Sequence, residues 1–386
     1  MTLDSQLIVL LDDDVMITEG LAAGLEREGR TLITCNDVES AELIVERFQP
    51  SHIVADIRIS GPFGYEGLDF IRYAKRHAPE SRVILISGDA AEALQLEAAE
   101  RGAVAFLQKP FAVQELDAML DLISSSALSA VGENRVIRMP LLDEILTSEL
   151  LRPFFQPVVT LDGTGRCFGY ESLARFHSDS PLRNPEMLFQ YAARKHRVAD
   201  LELACMTATL KAGAPLTERG LLFMNIHPDA FNSGPKLPEI LVLQAKRSGV
   251  SLDRVVLEIT EQGSMRETPI VLNTVDRLRE IGVRFAFDDV GVAYSHLTLM
   301  GKICPSFLKI SQDFGTGFET DSTKRKIVMN IQSLARDFNC DLILEGIEDA
   351  STAQAAADLG IPLGQGFFFS RPADAASFIN IEHTRN

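Results

Sequence analysis

The chain has 386 residues, of which 46% are apolar and 24% are charged, as expected for a folded globular protein rather than a disordered one. Its formal net charge is −17, and residues 1–124 account for −12 of that charge. Such an acidic chain is a poor partner for the phosphate backbone of duplex DNA. No apolar run reaches the ~18–20 residues of a membrane span, and the N-terminus lacks the basic region of a secretory signal. We therefore expect a cytoplasmic protein of two or three domains that binds neither DNA nor a membrane.

The first 123 residues alternate short apolar runs with helical patterns. The strand-like runs are 7–11, 32–35, 52–55, 83–86 and 104–107. The helical patterns are 15–28, 39–48, 66–77, 91–101 and 113–123. This alternation predicts a doubly wound α/β domain with a five-stranded parallel sheet. Residues 124–140 are mostly small or polar and predict a linker, the alternative being a last helix that continues through 127–131.

Polar residues follow four of these strands, and the carboxyl ends of an open parallel sheet are where functional groups collect. They are Asp12, Asp13, Asp56, Ser87 and Lys109. Three neighbouring carboxylates need a cation, and oxygen ligands suit Mg²⁺. A carboxylate beside Mg²⁺ can attack phosphorus, and a lysine and a hydroxyl can hold the new phosphoryl oxygens. Taken alone, the acids from Asp12 to Asp14 would equally fit a helix cap.

The set as a whole resembles the receiver domain of two-component response regulators, over residues 5–123. The resemblance implies that Asp12, Asp13 and Asp56 hold one Mg²⁺ ion. It also implies that Asp56 accepts a phosphoryl group from a cognate histidine kinase and that Lys109 pairs with that group. In the family, the residues that match Ser87 and Phe106 respond to phosphorylation, and the bond that matches Lys109–Pro110 is cis.

A second, longer series of strands follows the linker. Its strand candidates are 154–159, 168–173, 221–226, 255–259, 284–287, 307–310, 342–344 and 367–369. The segments between them are long enough for helices. Eight strands with helical crossovers predict a (β/α)8 barrel, whose functional groups lie at the carboxyl ends of its strands.

Nearly every strand of this second series ends with a polar residue. In chain order these residues are Glu171, Asn225, Glu258, Asp288, Asp289, Lys309, Glu345 and Gln365. Acids at the ends of buried strands are costly unless they face the mouth of the barrel, which favours a shared site over solubility charges. Carboxylate and amide oxygens fit Mg²⁺ or Mn²⁺ better than zinc. Two such ions can activate water against a phosphodiester, while a lysine orients the water and a carboxylate takes its proton.

These residues resemble the EAL family of cyclic di-GMP phosphodiesterases, over residues 145–378. The signature Glu-Ala-Leu appears as Glu171-Ser172-Leu173. Other matching blocks are Glu258-Ile259-Thr260-Glu261, Phe287-Asp288-Asp289, Leu308-Lys309-Ile310, Glu345-Gly346-Ile347-Glu348 and Gln365-Gly366-Phe367. The family fold implied is a modified (β/α)8 TIM-like barrel whose first strand is antiparallel to the others.

The resemblance also implies a role for each matching residue. The implied ligands of two Mg²⁺ or Mn²⁺ ions are Glu171, Asn225, Glu258, Asp288 and Asp289. Lys309 would position water and Glu345 would be the general base, and these two form the catalytic set with Glu171. Gln365 would support the site, and Leu173 and Arg175 would contact the dinucleotide.

Two departures from the family pattern leave an alternative function open. The loop at 290–296 has Ala293 where the family has a second glycine, and Ser311 stands where the family has an aspartate. In the family this loop couples metal binding to dimerisation and is anchored by the residue that matches Glu261. The alternative is a degenerate EAL domain that binds cyclic di-GMP, or a partner protein, without hydrolysis.

The sequence therefore predicts a receiver domain at 1–123, a linker at 124–140 and an EAL domain at 141–386. The expected activity is two-metal hydrolysis of cyclic di-GMP to linear pGpG under the control of Asp56 phosphorylation. A homodimer or higher homo-oligomer is expected. The receiver helices near 91–101 and 113–123 are expected to transmit the phosphorylation signal.

Overall fold

The structure is a computed structural model that describes residues 6–59, 66–88, 91–123, 135–147, 149–227, 230–231, 236–260, 268–291 and 297–379. The chain forms two compact units. The first comprises Met1–Ser148 and Phe176–Arg197, and the second comprises Glu149–Arg175 and Val198–Asn386. The segment Phe176–Arg197 therefore packs with the first unit although it interrupts the sequence of the second. Within the described residues, no helix is both long and apolar enough to span a membrane.

The first unit is a parallel sheet with helices on both faces. Its strands are β1 (Gln6–Leu11), β2 (Arg30–Cys35), β3 (His52–Asp56), β4 (Arg82–Ser87), β5 (Ala103–Gln108) and β6 (Arg135–Arg138). Its helices are α1 (Val15–Leu25), α2 (Val38–Phe48), α3 (Glu66–His77), α4 (Glu92–Glu100), α5 (Val113–Ile123), α6 (Leu142–Thr147) and α7 (Pro185–Arg194). The strand order is β5-β4-β3-β1-β2-β6, and every pair is parallel.

The five strands expected for this unit are confirmed, and a sixth joins them. Strand β6 comes from the segment that the sequence predicts to be a linker, and it pairs with β2 at the edge of the sheet. Its register places Ile137 opposite Ile33, and Ile137 is buried. Residues 124–134, and with them the alternative of a longer last helix, lie outside the described part of the chain.

The core of the first unit explains how its polar residues come together. The apolar run of β1 is buried, because helices cover both faces of a parallel sheet. Strand β1 lies between β2 and β3, so the residues that follow β1 and end β3 are neighbours at one edge. Asp12 and Asp56 occupy these two positions. Carboxylates also begin the helices, since Asp14 accepts from the Met16 N–H and Asp37 accepts from the Ser40 N–H, both at 2.8 Å.

The second unit is a closed eight-stranded barrel. Its strands are β7 (Leu151–Thr160), β8 (Cys167–Phe176), β9 (Leu221–Ile226), β10 (Val255–Thr260), β11 (Arg284–Val290), β12 (Phe307–Ile310), β13 (Asp341–Leu344) and β14 (Leu363–Gly364). Its helices are α8 (Val198–Gly213), α9 (Lys236–Ser248), α10 (Pro269–Glu280), α11 (Leu297–Ile303), α12 (Gln312–Gly315), α13 (Ser322–Asp337), α14 (Ala350–Asp358) and α15 (Ala376–Ile379). The closed order is β10-β11-β12-β13-β14-β7-β8-β9.

The first strand of the barrel runs against the other seven, as the family resemblance implies. Strand β7 is antiparallel to β14, whereas the pairs from β8 round to β14 are parallel. Apolar side chains fill the interior, among them Phe223, Val256, Phe307 and Ile343. A second apolar layer lies between the barrel and its helices. The carboxyl ends of seven strands therefore meet at one end of the barrel, here called the mouth.

The eighth strand is shorter and earlier than the sequence predicts. The expectation of a strand at 367–369 is wrong, because the last strand is β14 and the chain turns at 366–369. A Cβ atom at Gly366 would lie 2.0 Å from the Ile347 carbonyl oxygen, so this close backbone approach requires glycine. Phe367 and Phe368, which have high strand propensity, are left 50% and 45% exposed.

We expect Phe307→Ala to destabilise the barrel by about 3–5 kcal/mol, because the buried ring would leave a cavity among its neighbours. Phe307 is 2% exposed, and its ring centroid lies 5.2 Å from that of Phe223 and 5.7 Å from that of Phe168. The measurement is the free energy of unfolding in urea. The control is Phe368→Ala at an exposed position, and equal losses from both substitutions would contradict the assigned interior.

Candidate active sites

The edge of the receiver sheet brings two predicted carboxylates and the predicted lysine together. The Lys109 Nζ atom lies 2.8 Å from Asp12 Oδ2 and 2.8 Å from Asp56 Oδ2. Burial alone would lower the pKa of Lys109, but its hydrogen bonds to these two carboxylates raise it above the ordinary value. Burial also raises the pKa of Asp12. The lysine thus holds the two carboxylates side by side, which is an arrangement suited to a phosphoacceptor site.

The remaining predicted receiver residues flank this centre. Asp13 is exposed beside Asp12, and partial burial, with a smaller effect of the Asp56 charge, raises the pKa of its carboxyl group. Ser87 is buried at the end of β4, and its carbonyl oxygen accepts from the Lys109 N–H at 2.7 Å. Phe106 lies half-buried on β5. The Lys109–Pro110 bond is cis, as expected.

At the mouth of the barrel, seven successive strands place the predicted polar residues around one centre. Glu171 lies on β8, Asn225 on β9, Glu258 on β10, Asp288 and Asp289 on β11, and Lys309 on β12, while Glu345 and Gln365 directly follow β13 and β14. The register aligns them, since Glu258 is opposite Asn225 and Asp288 is opposite Thr260.

The Lys309 ammonium group is the centre of this arrangement. Its side chain is fully buried, and its Nζ atom is surrounded by four carboxylates. The distances are 2.8 Å to Glu345 Oε1, 3.1 Å to Glu258 Oε1, 3.2 Å to Glu171 Oε2 and 3.4 Å to Asp288 Oδ1. Although burial opposes the charge, the four carboxylates raise the pKa of Lys309 well above its ordinary value. Lys309 is therefore a fixed cation.

The carboxylates carry more negative charge than one lysine can balance. Burial raises the pKa of Glu258 well above its ordinary value, and neighbouring carboxylates raise it further although Lys309 opposes them. The same causes raise the pKa of Asp288, and they raise that of Glu345 to about 8. Glu171 differs, because Lys309, Gln365 and Asn225 outweigh its burial and lower its pKa. A bound cation would lower the pKa values of these carboxyl groups and favour their charged forms.

Glu258 gives the clearest indication of metal ions. Both of its carboxylate oxygens are buried, and although Oε1 lies 3.1 Å from Lys309 Nζ, neither oxygen forms a hydrogen bond. A buried carboxylate without hydrogen bonds is costly, and a bound cation would offset that cost. The donor set is also suitable, because Asn225 Nδ2 donates to Glu171 Oε1 at 3.2 Å and so leaves Asn225 Oδ1 available to an ion. The residues present therefore fit hard divalent cations.

The acids fall into two groups that share one member. Ligand oxygens of Glu171, Glu258 and Asp288 lie within 4.8 Å of one another, and so do those of Asp288, Asp289 and Glu345. Asp289 reaches the second group with a left-handed backbone, at φ 56°. Aspartate is one of the few residues that adopts this conformation, and its N–H donates to Asp288 Oδ1 at 2.9 Å. Because Asp288 belongs to both groups, each group offers three carboxylates to a hard divalent cation.

Gln156 is a residue of the site that the sequence did not predict. Its Oε1 atom accepts from Gln365 Nε2 at 3.1 Å, and the same Nε2 atom donates to Glu171 Oε2 at 2.7 Å. Gln156 lies on β7, whose reversed direction brings the middle of the strand, rather than its carboxyl end, to the mouth. Gln156 therefore does not follow the rule that polar residues of the mouth come at the ends of strands.

A recess of about 210 Å³ opens beside the acids. Its lining includes the predicted residues Glu171, Leu173, Asp288, Glu345 and Gln365. It also includes residues that the sequence analysis did not assign, namely Gln156, Gln312, Gly346, Glu348, Gly366 and Phe367. The Arg175 guanidinium instead donates to the adjacent Ala174 carbonyl at 2.9 Å.

One part of the predicted site lies outside the described residues, and another differs from the family pattern. Glu261 and residues 292–296 of the altered loop are not among the described residues. Ser311 is buried and begins α12, where its hydroxyl accepts from the Asp313 N–H at 3.5 Å. A capping serine at this position leaves one carboxylate fewer near the mouth.

Comparison with known families agrees with this geometry. The family model for the EAL domain matches residues 141–372, and the model for the response regulator receiver domain matches residues 8–121. The first match covers more than half of the chain. The protein therefore belongs to the EAL family and carries a response regulator receiver domain ahead of its barrel.

Several known proteins are similar to this chain. The cyclic di-GMP phosphodiesterase RocR of Pseudomonas aeruginosa is 24% identical over an alignment that covers 98% of each chain. The structure of Klebsiella pneumoniae BlrP1 in its manganese and cyclic di-GMP complex is 25% identical, with a TM-score of 0.52, covering 59% of this chain and 57% of that one. The MucR phosphodiesterase in complex with cyclic di-GMP is 24% identical, with a TM-score of 0.55, covering 61% and 97%. The structural likeness to MucR shows the fold.

Near the site, Glu202 on α8 gives a prediction about pH. This buried carboxylate accepts from the His227 N–H at 2.8 Å, just beyond the strand that carries Asn225, and burial raises its pKa from 4.5 to about 7. Because the folded pKa is the higher one, the stability that Glu202 contributes is fully present below pH 4.5 and is lost as the pH rises towards 7. Glu202→Gln cannot ionise. We expect the difference in unfolding free energy between this variant and the parent to grow in favour of the variant by about 2–3 kcal/mol as the pH rises from 5 to 8.

The measurement is urea unfolding of both proteins across that pH range. The matched control is Glu218→Gln, which changes an exposed glutamate of the same unit. If the pH profiles of the parent and Glu202→Gln ran parallel, the assigned ionisation of Glu202 would be wrong.

Proposed function

We propose that this protein is a response regulator that hydrolyses cyclic di-GMP to linear pGpG at the mouth of its barrel, under control of phosphorylation at Asp56. The observation that carries the proposal is the fully buried Lys309 among four carboxylates, one of which, Glu258, has two buried oxygens that form no hydrogen bond. We propose the same domain limits as the sequence predicts, with the receiver at 1–123, the linker at 124–140 and the barrel domain at 141–386, acting as a homo-oligomer.

The chain's own residues have separate tasks in the proposed reaction. Glu171, Asn225, Glu258 and Asp288 would hold one Mg²⁺ or Mn²⁺ ion, and Asp289 would help to hold a second beside Asp288. When bound, the ions would activate water and neutralise the phosphodiester. Gln365 and Asn225 fix the Glu171 carboxylate by hydrogen bonds of 2.7 and 3.2 Å, so its oxygens are oriented before a cation binds.

Lys309 and Glu345 are the proposed catalytic pair. Lys309 is held rigidly by its ion pairs, and its three donors can orient a water molecule next to Glu345, 2.8 Å away. The water oxygen forms a bond to phosphorus and the bond from phosphorus to the 3′ oxygen breaks. Glu345 takes the proton of the water, and the leaving oxygen gains a proton from solvent. The pKa of Glu345 is about 8, so this carboxyl group would need the nearby metal ions in order to be negatively charged at neutral pH and act as a base.

Cyclic di-GMP is proposed as substrate because the relatives named for this activity share the EAL domain, and because the recess offers matching contacts. Leu173 and Gln365 line the recess, and Leu173 can pack against a base. Arg175 would have to leave the Ala174 carbonyl to reach a substrate phosphate. The ring of the exposed Phe367 stacks with Arg371, whose guanidinium lies 4.3 Å from the ring centroid.

For the receiver, we propose that a cognate histidine kinase supplies the phosphoryl group to Asp56. Asp12, Asp13 and Asp56 would hold one Mg²⁺ ion, while Lys109 and Ser87 would bind the phosphoryl oxygens. The position of Lys109 between Asp12 and Asp56 supports this assignment.

The substitution Glu345→Gln should reduce hydrolysis of cyclic di-GMP by ~10²–10⁴-fold, since the amide cannot take the proton from water. Chromatography of the products with Mg²⁺ or Mn²⁺ present would measure the rate. Glu280→Gln, an exposed position on α10, is the matched control and should retain the parent rate. A parent protein that binds cyclic di-GMP with metal present but never forms pGpG would favour the alternative of a non-catalytic receptor.

The metal ions should also stabilise the fold. At a concentration 100 times its Kd, Mn²⁺ or Mg²⁺ should add ~2.7 kcal/mol to the free energy of unfolding and raise Tm. Glu258→Gln should lose most of this gain, because it removes a charged ligand from the ion. Ca²⁺ should inhibit hydrolysis, since it prefers longer bonds and more ligands than Mg²⁺. Equal turnover in Ca²⁺ and Mg²⁺, or an unchanged Tm with Mn²⁺, would contradict the proposed metal site.

A further inference from the structure

The segment Phe176–Arg197, here called the connecting segment, has an unusual place in the chain. It follows β8, which carries Glu171, and it precedes α8, which carries Glu202. Both of those elements belong to the second unit, whereas the connecting segment packs within the first. Between two elements of the second unit, the chain thus contributes a segment to the first unit.

A buried tyrosine holds the connecting segment to the receiver helices. Tyr191 is fully buried on α7, and its hydroxyl donates to Asp37 Oδ2 at 2.6 Å. Lys195 adds ion pairs of 3.2 Å to Asp37 and 3.0 Å to Glu39. Because Asp37 is nearly buried, these contacts are worth more than exposed ion pairs.

Arg194 forms a second set of contacts on the same face. Its guanidinium lies 3.0 Å from Glu42 Oε2, pairs with Glu46 and donates to the Tyr73 hydroxyl at 3.1 Å. It also lies over the Tyr73 ring, 5.7 Å from the centroid. The connecting segment is therefore fixed to both α2 and α3.

The position of Asp37 links this contact to the phosphoacceptor site. Asp37 directly follows Asn36, whose buried Nδ2 donates to the Asp12 carbonyl oxygen at 2.8 Å and to Thr18 Oγ1 at 3.0 Å. The Asp12 carboxylate in turn contacts Lys109, which also contacts Asp56. Asp56 is thus joined to Tyr191 by ion pairs and hydrogen bonds, together with the covalent steps within Asp12 and from Asn36 to Asp37.

We propose that this series, from Asp12 through Asn36 and Asp37 to Tyr191, is the route by which phosphorylation of Asp56 regulates the barrel. The proposal rests on the function proposed above and names its regulation. A phosphoryl group on Asp56 adds negative charge and draws Lys109 away from Asp12. Asp12, released from Lys109, repositions Asn36 and Asp37, and the hydrogen bond between Asp37 and the Tyr191 hydroxyl weakens or strengthens. The connecting segment then shifts the ends of β8 and α8, to which it is covalently joined.

This route differs from the one expected from sequence, which runs through the helices near 91–101 and 113–123. In the structure, α5 is tied to the sheet by Asp117, which lies 2.5 Å from the Arg30 guanidinium. The connecting segment is tied to α2 and α3. Since coupling requires a contact that both sites influence, the α2 face is the better-supported route.

The first test is hydrogen–deuterium exchange of peptides from 185–197, with and without beryllofluoride, which mimics an aspartyl phosphate. We expect exchange of these peptides in the full-length parent to change about 5–150-fold on treatment, and not to change in Asp56→Ala. Tyr191→Phe keeps the buried ring but removes the donor, and should raise untreated exchange about tenfold or more. If beryllofluoride alters peptides around Asp56 but leaves 185–197 unchanged in the parent, the proposal is wrong.

The second test compares hydrolysis rates with and without beryllofluoride. Tyr191→Phe and Asp37→Asn should each bring the ratio of treated to untreated rate close to one. The matched control is Asp69→Asn, which removes a carboxylate of α3 that pairs with Arg101. This variant should keep the parent's ratio. A parent-like ratio in both variants would overturn the route. A parent without any hydrolysis would reject the proposed function instead, and the exchange experiment would still decide the route.

Discussion

The burial of one positive charge organises the barrel. Moving an ammonium group out of water costs several kcal/mol unless oppositely charged groups surround it. Lys309 on β12 meets this condition only because four other chain segments bring a carboxylate within 3.4 Å of it. Those carboxylates come from β8, β10, β11 and the residue after β13, so the electrostatic balance exists only in the closed barrel. The site and the fold therefore depend on each other, and a shift of register in any of these strands would expose the imbalance.

Much of the fold and most of the acidic cluster could be predicted because they follow simple periodic rules. Buried parallel strands appear as apolar runs, and the polar residue after each run marks the mouth. Gln156 escaped this rule because β7 is reversed. The contact between Tyr191 and Asp37 escaped for another reason, since nothing in sequence distinguishes a buried tyrosine of a helix face from one that donates to a distant carboxylate.

Short or irregular elements were harder to predict from sequence. Strand β6 has only four residues, with two arginines flanking Val136 and Ile137, and only Ile137 is buried. Its composition alone does not predict a strand, and its pairing with β2 is what forms one. Conversely, the aromatic run at 367–369 looks like a strand but is a turn, because Gly366 must approach the Ile347 backbone. In both cases contacts between distant residues override local propensity.

The reversed first strand also determines where the chain meets the barrel. Because β7 runs from the mouth towards the opposite end, residue 149 enters the barrel at the mouth, and β8 returns the chain there before 176. In a barrel with eight parallel strands, a preceding domain would be joined at the end remote from the active site. The inversion therefore puts the point where the chain enters the barrel at the end that carries the acidic residues. A displacement of the backbone at residue 149 would thus reach the barrel at this end first, through β7.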